Sequence, residues 1–139
     1  MSGHKHIEHC IGRYIAEHYN SPVEIGVGKN FTAAECIVSV GTCCRCTDIK
    51  SQVPPEGVCF ICDDIFSPDT GHYRGADLIY SIRPAEEMVP PMKELARSLD
   101  IDLLVYHLGF ECYGDGGERI DCGVILHRYN KRKADLKKS

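Results

Sequence analysis

No stretch of this 139-residue chain approaches the ~20 consecutive apolar residues that a membrane-spanning helix needs. The first residues also lack the apolar segment of a signal peptide. We therefore expect a cytoplasmic protein with no membrane partner. Excess positive charge is missing too: 16 Lys and Arg face 20 Asp and Glu, a net −4 with His neutral. A nucleic-acid partner is not expected on that balance. The basic end HRYNKRKADLKKS is read as a solvated terminus, flexible over 131–139. There is no internal repeat, no low-complexity segment and no linker, so residues 1–139 are expected to form one domain. That length holds a core without disulfides or a structural metal. A nucleophile elbow is absent as well, because Ser81 in YSIRP lacks flanking glycines.

Cysteine, by contrast, is plentiful, with nine residues. CCRC (Cys43, Cys44, Cys46) and CFIC (Cys59, Cys62) invite a metal reading. If GVCFICDD is a strand, Cys59 and Cys62 point to opposite faces with alpha carbons about 10 Å apart. That suits neither a disulfide nor chelation of one ion. We expect free thiols, mostly small buried apolar residues, and no metal site. His4, His6 and His9 in HKHIEHC could collect a metal adventitiously, but a chain terminus makes a poor cage.

Periodicity supplies the elements. Ile7, Cys10, Ile11, Tyr14 and Ile15 recur at helical spacing, so an N-terminal helix is expected within 1–19, ended by Asn20-Ser21-Pro22. TAAECIVSVG reads as a second helix, with Thr32 and Glu35 in a capping-box pattern and Gly41 as its stop. A third lies in RPAEEMVPPMKELARSL and starts near Pro90 and Pro91. Strands are expected near 23–26, 43–48, 58–62, 77–81 and 102–107, with a last one near 121–128. The first five are almost wholly apolar and alternate with helices or helix-sized connectors, as in a parallel sheet covered on both faces. Residues 111–130 hold a turn and the last strand, and the link of about a dozen turn-rich residues is too short for a crossover, so that strand returns antiparallel. The class is α/β, a single three-layer, Rossmann-like domain whose core spans 20–110.

In open α/β sheets, ligands bind beyond the carboxyl ends of the strands. Those ends carry Glu24 and Gly26-Val27-Gly28, then Asp48, then Asp63-Asp64, then Ser81 and Arg83, then His107. Gly26 and Gly28 permit a sharp turn and a close backbone approach. Asp48 follows at the distance expected of an acid that accepts ribose hydroxyls and repels a 2′-phosphate. Asp63 or Asp64 accepts from an adenine amine or caps a helix. Arg83 faces the cleft as a fork for an anionic group, or pairs with Glu86 or Glu87 on the surface. A nucleoside-binding turn is the favoured reading of VEIGVGKNF.

VEIGVGKN, TDI, CDDIF and ADLIYSIRP, in that order and spacing, resemble class I S-adenosylmethionine-dependent methyltransferases. The run TDIK…DDIFSP…GADLIYSIRP more closely resembles a small, mainly archaeal family of uncharacterised proteins with a truncated methyltransferase-like domain. The resemblance covers roughly 20–110. It implies strand order 3-2-1-4-5, S-adenosylmethionine as cofactor, and Glu24 near the methionine part of it. It departs at Asn30, which replaces the third glycine, and at Ser81-Ile82-Arg83-Pro84, which replaces an Asn-Pro-Pro motif. The short C-terminal part holds no lid, so a methyltransferase of this kind would need a protein partner to supply the acceptor. The alternatives are a regulatory domain for NAD or another adenine nucleotide, and a non-catalytic interaction module.

Overall fold

The structure, a computed structural model, describes residues 4–109 and 111–133. Most of the basic tail, from 134 on, and the side chain of His4 lie outside the described residues. Five parallel strands form the heart of one sheet: β1 (Pro22–Ile25), β2 (Arg45–Asp48), β3 (Cys59–Cys62), β4 (Leu78–Ile82) and β5 (Asp102–Tyr106). Beyond them lie β6 (Glu118–Asp121) and β7 (Ile125–Asn130), and the sheet order is β3-β2-β1-β4-β5-β7-β6.

Alternation along each strand splits the core in two. Leu78, Tyr80, Leu104 and Cys46 face α1 (His4–His18) and α2 (Thr32–Ser39), meeting Ile11, Ile15 and Ile37. Val23, Ile25, Ile79, Leu103 and Val105 face α3 (Val89–Leu99) through Val89, Met92 and Leu95. This is the expected three-layer arrangement. None of the described helices is long and apolar enough to cross a membrane.

Three local expectations are corrected. The segment expected as one strand over 121–128 is a hairpin broken at 122–124, where Gly123 adopts φ +107° and its amide donates to Asp121. Its second arm, β7, is the antiparallel neighbour of β5, and β6 pairs outside it. The capping box does not form. Phe31 is the N-cap residue, and the Thr32 amide donates to the Asn30 side chain instead. All nine cysteines are free thiols, but Cys43, Cys59, Cys62 and Cys112 are exposed. For Cys59 and Cys62 the reason is topological: β3 is an edge strand reached by a helix-free loop, so neither of its faces is fully covered. His6 contacts the Cys10 thiol, and among the described residues no group of three His, Cys, Asp or Glu is arranged to hold an ion.

At the amino ends of the strands a buried acid ties three elements together. Asp102 accepts from the Tyr19 hydroxyl (2.6 Å), the Arg132 amide (2.7 Å) and Arg128 (3.4 Å). Nearby, Asp77 accepts the amides of Asn20 and Ser21 and fixes the exit from α1. Removing one partner of a buried charge network is costly, because the others are left unpaired. Asp102→Ala should lower unfolding stability by about 3–5 kcal/mol, read as a shifted denaturation midpoint. A change below about 1 kcal/mol, the range of surface pairs, would show that the knot is not an anchor.

Candidate functional site

The turn after β1 is held by the neighbouring strand. The amides of Gly26 and Val27 both donate to the Thr47 carbonyl, and the Gly28 amide donates to Asp48 Oδ2 at 2.7 Å. Gly26 sits at φ +73°, and a Cβ there would stand 3.2 Å from Met88 Cε. Only glycine fits that conformation without strain.

Beside this turn lies a cavity of about 260 Å³ across the carboxyl ends of β3, β2, β1 and β4. Gly26, Asp48, Asp63, Asp64 and Arg83 line it, so five of the residues expected at the site share one cleft. Its apolar wall is Ile25, Ile49, Ile65, Phe66 and Met88. Sequence reasoning did not single these out, although Ile49, Ile65 and Phe66 follow directly after the strand-end acids. Ile49 and Phe66 are exposed, two uncovered apolar side chains at the cleft.

The acids also hold their own loops. Asp48 Oδ1 accepts the Lys50 amide, so each of its oxygens serves one main-chain donor. Asp63 accepts from the Asp69 amide, His72 Nδ1 and the Tyr73 hydroxyl. Asp64 accepts the Phe66 amide in a turn, and no helix starts there, so the cap alternative does not apply.

Glu24, Gly28, Ser81 and His107 do not line the cavity. The Ser81 hydroxyl donates to the Ile25 carbonyl at 2.7 Å, tying β4 to β1. His107 is buried against Tyr129, with Nε2 2.6 Å from the hydroxyl, and meets the His127 ring edge-on. Burial, then His127, pushes its pKa down.

Arg83 pairs with neither Glu86 nor Glu87. Its Nη1 donates to Glu8 Oε2 of α1 at 2.8 Å, and its guanidinium lies over the Tyr106 ring. Glu8 Oε2 also accepts from Asn30 Nδ2 at 2.9 Å. The residue in place of the third glycine therefore joins the turn to α1. Neither Glu8 nor the role of Asn30 was anticipated, and a contact spanning 75 positions leaves no periodic trace.

Glu24 faces α1 and α2 and is only 3 % exposed. Burial pushes its carboxyl up to about 8, and the 2.9 Å hydrogen bond from the Tyr80 hydroxyl only partly opposes this. Between the ordinary value of 4.5 and about 8, the folded chain keeps a proton that the unfolded chain has released. That contribution to stability is complete below 4.5 and is lost as pH rises through about 8. Glu24→Gln keeps an acceptor for Tyr80 and removes the titration. Across that window the wild type should lose stability relative to the variant, by an amount on the order of a few kcal/mol. Denaturant melts at stepped pH would show it, and superimposable profiles would refute it.

Residues 9–116 match the uncharacterised protein family UPF0146. A UPF0146 protein of Archaeoglobus fulgidus is 38% identical over 106 residues, 76% of this chain and 78% of the relative. Among solved structures, the CcbJ methyltransferase of Streptomyces caelestis superposes with a TM-score of 0.56 at 14% identity over 70% of this chain. The chain spans 50% of that protein's length. The N-terminal domain of EvdMO1, solved with SAH bound, gives a TM-score of 0.51 at 13% identity, covering 98% of this chain and 72% of the domain. At these identities the likeness is one of fold, a Rossmann-like methyltransferase fold. The family match and the relatives give one assignment: the chain is a member of the uncharacterised, archaeal UPF0146 family.

Proposed function

We propose that the chain binds S-adenosylmethionine, or the related S-adenosylhomocysteine, across the carboxyl ends of β3-β2-β1-β4, and that it transfers a methyl group with a partner supplying the acceptor. One observation carries the reading: the order of chemical groups along the cleft. Neighbouring strands lie about 4.8 Å apart, so β3 to β4 is roughly 14 Å. Along that line the lining runs from Asp63, Asp64 and Phe66, through Asp48 and Ile49, to the Gly26 turn and then to Arg83. A ligand with an aromatic amine at one end, a diol next and an anionic arm at the other matches that order. Adenosine joined to an amino acid has this form.

The donor set fits the group. Ile49, Ile65 and Phe66 would flank the purine, Asp63 or Asp64 would accept its amine, and Asp48 would accept the ribose hydroxyls with its remaining lone pairs. When bound, the cofactor supplies a methyl group on a positively charged sulfur, open to attack by a nucleophile. The chain's part is to orient that arm over the Gly26 turn. The small volume suits a nucleoside better than a dinucleotide, and SAH in the EvdMO1 domain, on the same fold, supports the choice.

The test is an amide NMR titration with S-adenosylhomocysteine, S-adenosylmethionine and NAD. Shifts should concentrate at 25–28, 48–49 and 63–66 for the adenosyl ligands. Asp48→Asn retains an oxygen for the Gly28 amide and turns the other acceptor into a donor, leaving the exposed Lys50 amide to water. It should keep the fold and weaken adenosine binding at least tenfold, since a hydrogen bond to a charged group is worth about 1.5–3 kcal/mol. Unchanged affinity, or shifts scattered away from these residues, would end the ribose assignment.

A further inference from the structure

We infer that the Glu8–Arg83 ion pair is a latch at the rim of the cleft, opened when a ligand carboxylate takes the place of Glu8 on the Arg83 guanidinium. This rests on the adenosyl reading of the same cleft and adds how its anionic end is admitted.

The two partners are held very differently. Arg83 is fixed from its own strand. Its amide donates to the Tyr106 carbonyl at 2.7 Å, its backbone sits at φ +55°, Pro84 follows, and the Tyr106 ring lies beneath the guanidinium. Few non-glycine residues adopt that backbone, and where one does, the surrounding structure must impose it. The guanidinium therefore keeps its place when Glu8 leaves. Its side chain is 31% exposed and lines the cavity. Among the described residues only Nη1 has a side-chain acceptor, so the planar fork presents unused donors to the cleft.

Glu8 is the removable half. It lies in the first turns of α1, while the core anchors of that helix, Ile11 and Ile15, lie further along. Its carboxylate is buried but poorly served. Oε2 receives both Asn30 and Arg83, whereas Oε1 is buried with no hydrogen-bond partner among the described residues. Burial works against its charge, and Arg83, the residue's own backbone amide and Asn30 together outweigh that and hold its carboxyl below the ordinary value. A carboxylate with one dry, unmatched oxygen gains by reaching water. A ligand carboxylate that meets the fork with both oxygens makes the better pair. The exchange therefore replaces a one-point contact with a two-point one and solvates Glu8.

The test compares adenosine, which has no carboxylate, with S-adenosylhomocysteine, which has one. In the wild type, saturating S-adenosylhomocysteine should speed amide hydrogen exchange at 8–12, the first amides bonded within α1, several-fold, and adenosine should not. Glu8→Gln removes the competing charge. It should tighten S-adenosylhomocysteine about fivefold or more and leave adenosine within twofold. The latch is refuted if the two ligands change α1 exchange equally, or if Glu8→Gln shifts both affinities in parallel. It is also refuted if the variant weakens S-adenosylhomocysteine alone. The exchange experiment needs no variant, so a Glu8→Gln chain that fails to fold does not protect the idea. If neither ligand binds either protein, the adenosyl reading falls and takes the latch with it, a result distinct from binding without discrimination.

Discussion

Parallel pairing is the constraint from which the rest follows. Five strands run the same way, so every return must cross the sheet and every carboxyl end opens on one edge. That edge collects the turns after β1, β2, β3 and β4, with whatever polar groups they carry. The order β3-β2-β1-β4 then decides which chemistry is adjacent to which. Asp48 neighbours the Gly26–Gly28 turn because β2 neighbours β1, and Arg83 stands opposite Asp63 and Asp64 because β4 lies on the far side of β1.

The acids at this edge have two occupations. Asp48 and Asp63 accept main-chain amides before any ligand arrives, so the loops they belong to are already set. A carboxylate has more lone pairs than these donors use. The same groups can therefore stiffen the cleft and receive a ligand, and a cleft that needs no ordering loses less on binding. Glu24 differs. Burial holds it as a neutral acid at neutral pH, under Tyr80, so the edge is less negative than its count of acids suggests.

Much of this was legible in the chain itself. Apolar runs broken by glycine and acid residues mark parallel strands, and Gly26, Asp48, Asp63, Asp64 and Arg83, read from strand ends alone, line one cleft. What escaped depends on contacts distant in sequence or on backbone detail. The pairing of Glu8 with Arg83 has no local pattern, and in HKHIEHC it is masked by three histidines. Met88 against Gly26 depends on how the turn before α3 folds back. The hairpin at 122–124 is hidden because Asp121-Cys122-Gly123 sits inside an apolar run that also satisfies a single strand. Thr32 and Glu35 have the spacing of a capping box, but Asn30 reaches the Thr32 amide first. Ser81 and His107 occupy the expected strand ends, yet their side chains turn to the Ile25 carbonyl and to Tyr129.

Helix α1 runs the full height of the sheet, from the strands' carboxyl ends at Glu8 to their amino ends, where Tyr19 is bound to Asp102. At a rise of about 1.5 Å per residue, these two attachments are about 16 Å apart. Mechanically this is a rod held at both ends, with Ile11 and Ile15 seating its middle in the core. A tilt of about 5° about the Tyr19 end would carry the Glu8 end roughly 1.5 Å over that length, which is enough to part a hydrogen-bonded pair. The spacing of the Glu8–Arg83 pair is therefore a sensitive gauge of how the helix lies on the sheet, and the packing of Ile11 and Ile15 sets it.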